Sequence, residues 1–550
     1  YNGPGNISAG SVLVLTTDGS PSVFSYIGVI TGTTETDRTT SFTNFLPFGG
    51  AISAPNISTS GSDQIYLIQG NFSFDGTLDM FQANYILNGT LLHGLTNRAA
   101  WVPLTSACNG SAAGGNTRES RLPAALTCFN LENSGGSAES GFYENDKEHG
   151  PATLRDIILG ISNPSNWTFG SARYTKDPTS NLVTRAGKTF IIGASETAGQ
   201  WVGDFDTNWF NCSNWGRLTV PDETVDVIID NVTSINNSVI DYTATYSDFY
   251  ADLAVCNNLN INGRRLTIQA NPNNKLEVYG NVTIGASGTL DMNDGSNGTP
   301  DGQLYLYGNW NNNGTETNFD QGESTIHFKG SVAQVINNVA PRGTELFYNV
   351  VLDNDFNTAI SNDLIAQGDL TINATRALNI DSNGFVFAYK RLNHNGDLSI
   401  ANNGQFIQVD EIDNNTGIYT GTKFQLTRTA QAKNFDYVYW SAPTENFAVT
   451  SVPTNNRYEW NTLFANANGT LGNWATASGN MTKGKGYIAR ASNGSATPVG
   501  LSTIFTGKPH NGQFNFTINR GTFDGADYDA DSTNPNNVWT TKFDDNWNLV

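Results

Sequence analysis

Short stretches of alternating apolar and polar residues run through most of the chain. VLVLTT (12–17), QIYLIQG (64–70), VDVIID (225–230), LTIQA (266–270), LEVYGNVTI (276–284) and LYLYGNW (304–310) are examples. Period-two alternation puts one set of side chains in a core and the other in solvent, so these stretches predict strands. Gly, Asn and Ser between them supply the turns. The one clear helical signal is PATLRDIIL (151–159), with Pro near its start and Leu154, Ile157 and Ile158 on one side. The pattern predicts an all-β protein.

The middle of the chain repeats. Leu-x-x-x-Gly-[Asn/Asp]-apolar occurs at Leu276–Gly280–Val282, Leu304–Gly308–Trp310, Leu364–Gly368–Leu370 and Leu392–Gly396–Leu398. Each pair of motifs is offset by 28 residues, and units of this size are too poor in apolar residues to fold alone. Stacking them in parallel buries a continuous core, so residues 222–415 predict a right-handed parallel β-helix (solenoid). It should have about seven coils and, at ~4.8 Å per coil, a length of ~35 Å. Leu276, Leu304, Leu364 and Leu392 should point inward in stacked register. Asn at the turns should adopt left-handed conformations and ladder from coil to coil. Trp201, Trp209, Phe210 and Trp215 precede the repeats as a dense aromatic set, expected to cap the first coil.

After about 415 the repeat stops and aromatic residues rise, with FQLTRTA, DYVYWSA and GYIARAS separated by long loops. This texture predicts an antiparallel β-sandwich. The expected organisation is therefore a β-sandwich-like module over 1–197, a capped β-helix over 198–415 and an antiparallel β domain over 416–550.

Composition narrows the function. The 50 acidic and 29 basic residues of this 550-residue chain give a net charge of −21, which argues against nucleic acid and anionic membrane surfaces as partners. With 38% hydrophobic residues it is too apolar for a disordered chain, and the 56 Gly and 70 Asn fit many turns. No apolar run approaches the ~20 residues of a membrane helix, so membrane insertion is not expected. The opening YNGPGNISAG has neither a basic nor an apolar leader segment, as expected of a processed chain or a piece of a longer one.

Four cysteines fall in two sequence-local pairs. Cys108–Cys128 and Cys212–Cys256 are the simplest of three connectivities, and four buried thiols are the alternative. No CxxC and no His at metal-ligand spacing supports a zinc site. Asp527, Asp529 and Asp531 alternate in GADYDADSTN, a spacing of oxygen ligands that fits Ca²⁺, although the Gly and closing Glu of an EF-hand are missing. Of 18 Asn-x-Ser/Thr sequons, Asn88, Asn297, Asn313, Asn468 and Asn493 sit in expected turns, where a glycan would face solvent. HExxH, GxSxG and P-loop patterns are absent. Arg391, His394 and Asp397 could form the base-and-cation groove of a polysaccharide lyase, but solvated turn residues are the simpler reading.

Several stretches carry a resemblance. FDTNWFNCSNW (205–215) and FYNVVLDN (347–354) resemble β-helical segments of large surface proteins of Bacteroidota. DYVYWSAP (436–443), GNWATASGNMTKGKGYIARA (472–491), FTGKPHNGQFNFTI (505–518) and DDNWNLV (544–550) resemble the module that precedes a type IX sorting signal. STSGSDQIYLIQG (58–70), RLPAALT (121–127) and ISNPSNWT (161–168) resemble a third secreted module. The resemblance implies an adhesin-like surface protein secreted by the type IX system, cut inside a domain at both ends. The expected function is non-enzymatic and structural or adhesive, with extracellular glycans or other copies of the protein as partners. Alternatives are a filament subunit, a polysaccharide-binding module and a β-helical polysaccharide lyase or hydrolase.

Overall fold

The structure, a computed structural model, describes residues 12–18, 23–30, 64–74, 85–96, 101, 122, 126–133, 140–144, 147–170, 190–194, 196–242, 253–293, 301–338, 343–358, 363–410, 423–466, 469–470, 472–491, 497–522 and 548–550. These residues are nearly all β, and a β-solenoid of about six turns occupies 238–426. The chain divides into two compact units, Tyr1–Thr267 and Ile268–Val550.

In the first unit, Val12–Asp18 and Val23–Ile30 form an antiparallel pair. Gln64–Phe74 and Tyr85–Thr96 form a longer one, to which Asn130–Glu132 adds in parallel. Trp101, Leu122 and Leu126 make a small core against this sheet. The helix runs Leu154–Ser162, three residues later than its sequence pattern suggests. Its N-cap is Thr153, whose hydroxyl accepts from the Asp156 amide.

The aromatic set Trp201, Trp209, Phe210 and Trp215 before the repeats is buried. Trp201, Trp209 and Trp215 are fully enclosed, with Trp215 meeting the other two edge-on at centroid distances of 5.0 and 4.7 Å. Asn208 bridges Val239 in parallel and Gln200 bridges Ile228, so the segment extends the ladders of the first strands. Arg155, buried to 2% exposure, reaches from the helix to Asp204 and to the Ser213 carbonyl. Beside it Cys128 is bonded to Cys212 across 84 residues, and Cys256 is a buried free thiol. Both expected local pairings are thus corrected. The fold packs the Cys212 turn on the segment carrying Cys128, with Leu218 between them in one apolar cluster, while Cys256 alternates into the core of its own strand Ala254–Cys256. Cys108 lies outside the described residues.

The second unit begins within the solenoid. Leu276 pairs with Leu304, 28 residues on, but Leu304 then pairs with Ile326, Ile326 with Val350, Val350 with Leu370 only 20 residues on, and Leu370 with Leu392. Leu276, Leu304, Leu364 and Leu392 are all buried. Leu364, however, stacks on Val386 in a different sheet, so the second 28-residue offset is not a turn of the coil. Along this run the spacing between stacked positions varies from 20 to 28 residues, while most of the strands are three or four residues long. The glycine of the Leu-x-x-x-Gly motif has a physical reason at Gly308. A Cβ there would lie 2.3 Å from the Gly280 carbonyl oxygen of the turn before, to which the Gly308 amide donates at 2.9 Å.

The end of the solenoid is joined to the segment beyond by a shared strand. Phe424–Ala432 pairs in parallel with Asp397–Ile400 and antiparallel with Val499–Thr506. A four-stranded sheet follows, ordered Tyr437–Trp440, Tyr487–Arg490, Asn456–Asn461, Asn473–Thr476, with every pairing antiparallel.

Candidate functional site

The solenoid separates its residues by side. Inward positions are buried and mostly apolar, with a few enclosed polar groups such as Asn312, Glu345 and His394. Outward positions ladder along the stack: Asn337 donates to Asn311 at 2.9 Å, Asn379 to Asn357 at 2.8 Å and Asn393 to the Thr371 hydroxyl at 3.0 Å. Asn383 and Asn403 hold left-handed turns, both at φ 65°.

Arg391, His394 and Asp397 are not brought to one surface. Arg391 and Asp397 face outward, whereas His394 points into the core at 2% exposure, its Nε2 hydrogen-bonded to the Lys423 carbonyl at 2.9 Å. Burial lowers its pKa to about 4, so it is a neutral core group. Asp527, Asp529 and Asp531 lie outside the described residues, as do Asn297, Asn468 and Asn493. Asn88 falls on the strand Tyr85–Thr96, not in a turn. Asn313 is exposed in a turn.

Two outward surfaces concentrate functional groups. The first crosses the solenoid strands Lys275–Val278, Gln303–Leu306 and Thr325–Phe328. Tyr279 stacks on Tyr307 with centroids 4.7 Å apart, and Tyr305 stacks on His327 at 4.3 Å. Lys329 sits over Tyr305 at 5.1 Å, and His327 Nδ1 lies 3.5 Å from Asp353. Burial, then the charge of Glu277, raises the pKa of both Tyr305 and Tyr307; burial lowers that of His327 against the pull of Asp353. The rings face one another along the stack, so their faces are spent on each other. The arrangement is a ladder that ties successive turns.

The second surface is one face of the four-stranded sheet. Cross-strand partners share a face, and the register pairs Tyr437 with Arg490, Tyr439 and Tyr458 with Ile488, Tyr458 with Thr476 and Trp460 with Trp474. Tyr439 is 68% exposed, Tyr437 52% and Trp474 40%. Trp460 meets Trp474 edge-on at 5.2 Å. Ile488 is buried between the rings. Phe435, at the head of the first strand, has φ 69°, a conformation that costs a bulky residue ~1–2 kcal/mol and that carries its ring to within 4.4 Å of the Arg490 guanidinium. The opposite face holds Trp440, Tyr487 and Ala489 in the core. Sequence reading noted these aromatics only as a change of texture. The Tyr-x-Tyr alternation of DYVYW was the available signal that two rings share the outer face.

No titratable cluster able to hold a metal ion occurs among the described residues. A shallow pocket of about 300 Å³ beside Phe385 and Gln405 contains Asp363 as its one charged group. Fold and surface together define a β-solenoid protein with a ringed aromatic sheet beyond its end. Residues 334–550, from within the solenoid through that sheet, match a family model described as a domain of unknown function (DUF8693). No curated protein and no solved structure matches the chain. The Cys128–Cys212 disulfide is compatible with an oxidising, extracellular location, and no helix among the described residues is long and apolar enough to cross a membrane.

Proposed function

We propose that this chain is a non-enzymatic structural and adhesive segment of a long extracellular surface protein, of the adhesin-like kind exported by a type IX system. In this reading the solenoid is right-handed, following the general hand of parallel crossovers. It is flanked by a sandwich-like module over 1–197 and an antiparallel sandwich over 416–550, and its partners are extracellular glycans or further copies. The observation that carries the reading is how the solenoid uses its side chains. Inward groups, His394 included, make the core, and outward groups ladder to the neighbouring turn. Parallel stacking in which each turn is held by both neighbours gives a stiff element with few accessible backbone groups.

Incubation of the purified chain with a panel of plant, algal and bacterial polysaccharides tests the non-catalytic part. The expected outcome is no release of reducing or unsaturated sugar ends. Release with enzyme-like turnover, lost on substitution of Arg391, His394 or Asp397, would establish the lyase instead.

A further inference from the structure

We infer that the ringed face of the four-stranded sheet binds a neutral, extended, β-linked pyranose polymer. The inference rests on the surface-segment reading and names what that segment holds.

Three observations select this occupant. The first is the kind of surface. The exposed large side chains are Tyr437, Tyr439 and Trp474, with the Phe435 ring at the edge over Arg490 and Tyr458 and Trp460 half-buried beside them, while the one aliphatic residue among them, Ile488, is buried. Flat rings with a polar edge match a pyranose ring, whose C–H faces are apolar and whose hydroxyls lie at the rim.

The second is spacing. Tyr437 and Tyr439 lie two strands from Tyr458 and Trp460 in the sheet order. Two strand spacings are ~10 Å, about the length of one disaccharide in an extended β-linked chain. Successive sugar pairs can therefore meet successive rows of rings, with Asn456 and Thr476 exposed on the same face, beside the second row, to reach hydroxyls.

The third is charge. Among the described residues Arg490 is the one cation on this face, and its guanidinium is stacked on Phe435. Arg457 and Glu459 alternate to the other side, where Arg457 donates to the Val452 carbonyl and Glu459 pairs with Lys485. The face has no cation cluster for a polyanion, and the chain's net charge of −21 repels one.

The test is depletion of the whole 550-residue chain from solution by insoluble cellulose and chitin, with alginate as the anionic control, and calorimetric titration with cellohexaose. The expected result is retention on cellulose or chitin but not alginate. Tyr439→Ala and Trp474→Ala, both exposed and so compatible with folding, should each weaken binding by roughly 3–10-fold, the range a single aromatic stack supports. Phe205→Ala, an exposed ring in the other unit, should leave binding unchanged. Circular dichroism confirms that the variants are folded. No retention on either neutral polymer overturns the inference, and so does retention unaffected by the two substitutions. It is equally overturned if sedimentation shows the substitutions dissolving a dimer while no polymer is held, since the face is then a self-contact. Sugar release in the same incubations would contradict the non-catalytic reading and leave the binding result standing, so the two failures are distinguishable.

Discussion

At the scale of residues, His394 and the cysteines show how far local pattern reaches. HNGD reads as a turn, and closeness in sequence groups His394 with Arg391 and Asp397. Strand alternation decides otherwise. Leu392 and His394 share the inward side of the strand Leu392–His394, and Asn393 faces out. A neutral histidine enclosed this way has a consequence for stability. Its folded pKa, about 4, lies below the ordinary 6.5 of the unfolded chain. The stability it contributes is therefore full above pH 6.5 and is lost as the pH falls from there towards 4, because the unfolded chain takes up the proton first. Replacing His394 with Gln removes that proton. Between pH 7 and pH 4.5, wild-type solenoid stability should fall by roughly 1–3 kcal/mol more than that of H394Q, read from urea midpoints. Equal pH dependence in the two proteins would show that His394 is not buried as a neutral group. The cysteine pairing was beyond sequence reading for a related reason. Loop length favours Cys108–Cys128 and Cys212–Cys256, but Leu218 and the Arg155–Asp204 ion pair draw the Cys212 turn to Cys128.

At the scale of elements, most of the solenoid was legible. The alternation in LEVYGNVTI and LYLYGNW gave the strands, and the Leu276–Leu304 offset gave one true turn. The same arithmetic misled at Leu364 and Leu392, because a coil tolerates turns of unequal length while its inward residues stay in register. Asn ladders occur at Asn311–Asn337 and Asn357–Asn379, on outward strand positions and not at the expected turns. The aromatic sheet face was not legible as a site, since its rings come from three separate strands and only register places them together. The core prediction belongs at Leu304, which is fully buried and stacked between Leu276 and Ile326. Leu304→Asp buries a charge without a partner and should cost more than ~4 kcal/mol. Hydrogen exchange should show the loss as melted protection across the neighbouring turns, since each turn is held by the next. Protection unchanged in a folded L304D protein would contradict the assigned register.

At the scale of the molecule, the two compact units share an economy of charge and an abundance of turn-forming residues. In the proposed reading, stacked strands supply stiffness and the aromatic sheet supplies adhesion, and the work of the protein is attachment at the cell exterior. The most direct measurement is made on cells of the source organism from which the gene has been deleted, scored side by side for surface attachment and for growth on single polysaccharides. The account predicts impaired attachment, restored by the wild-type gene, with growth on every polymer unchanged. Normal attachment together with lost growth on one polymer would contradict it and make the chain part of a degradative system.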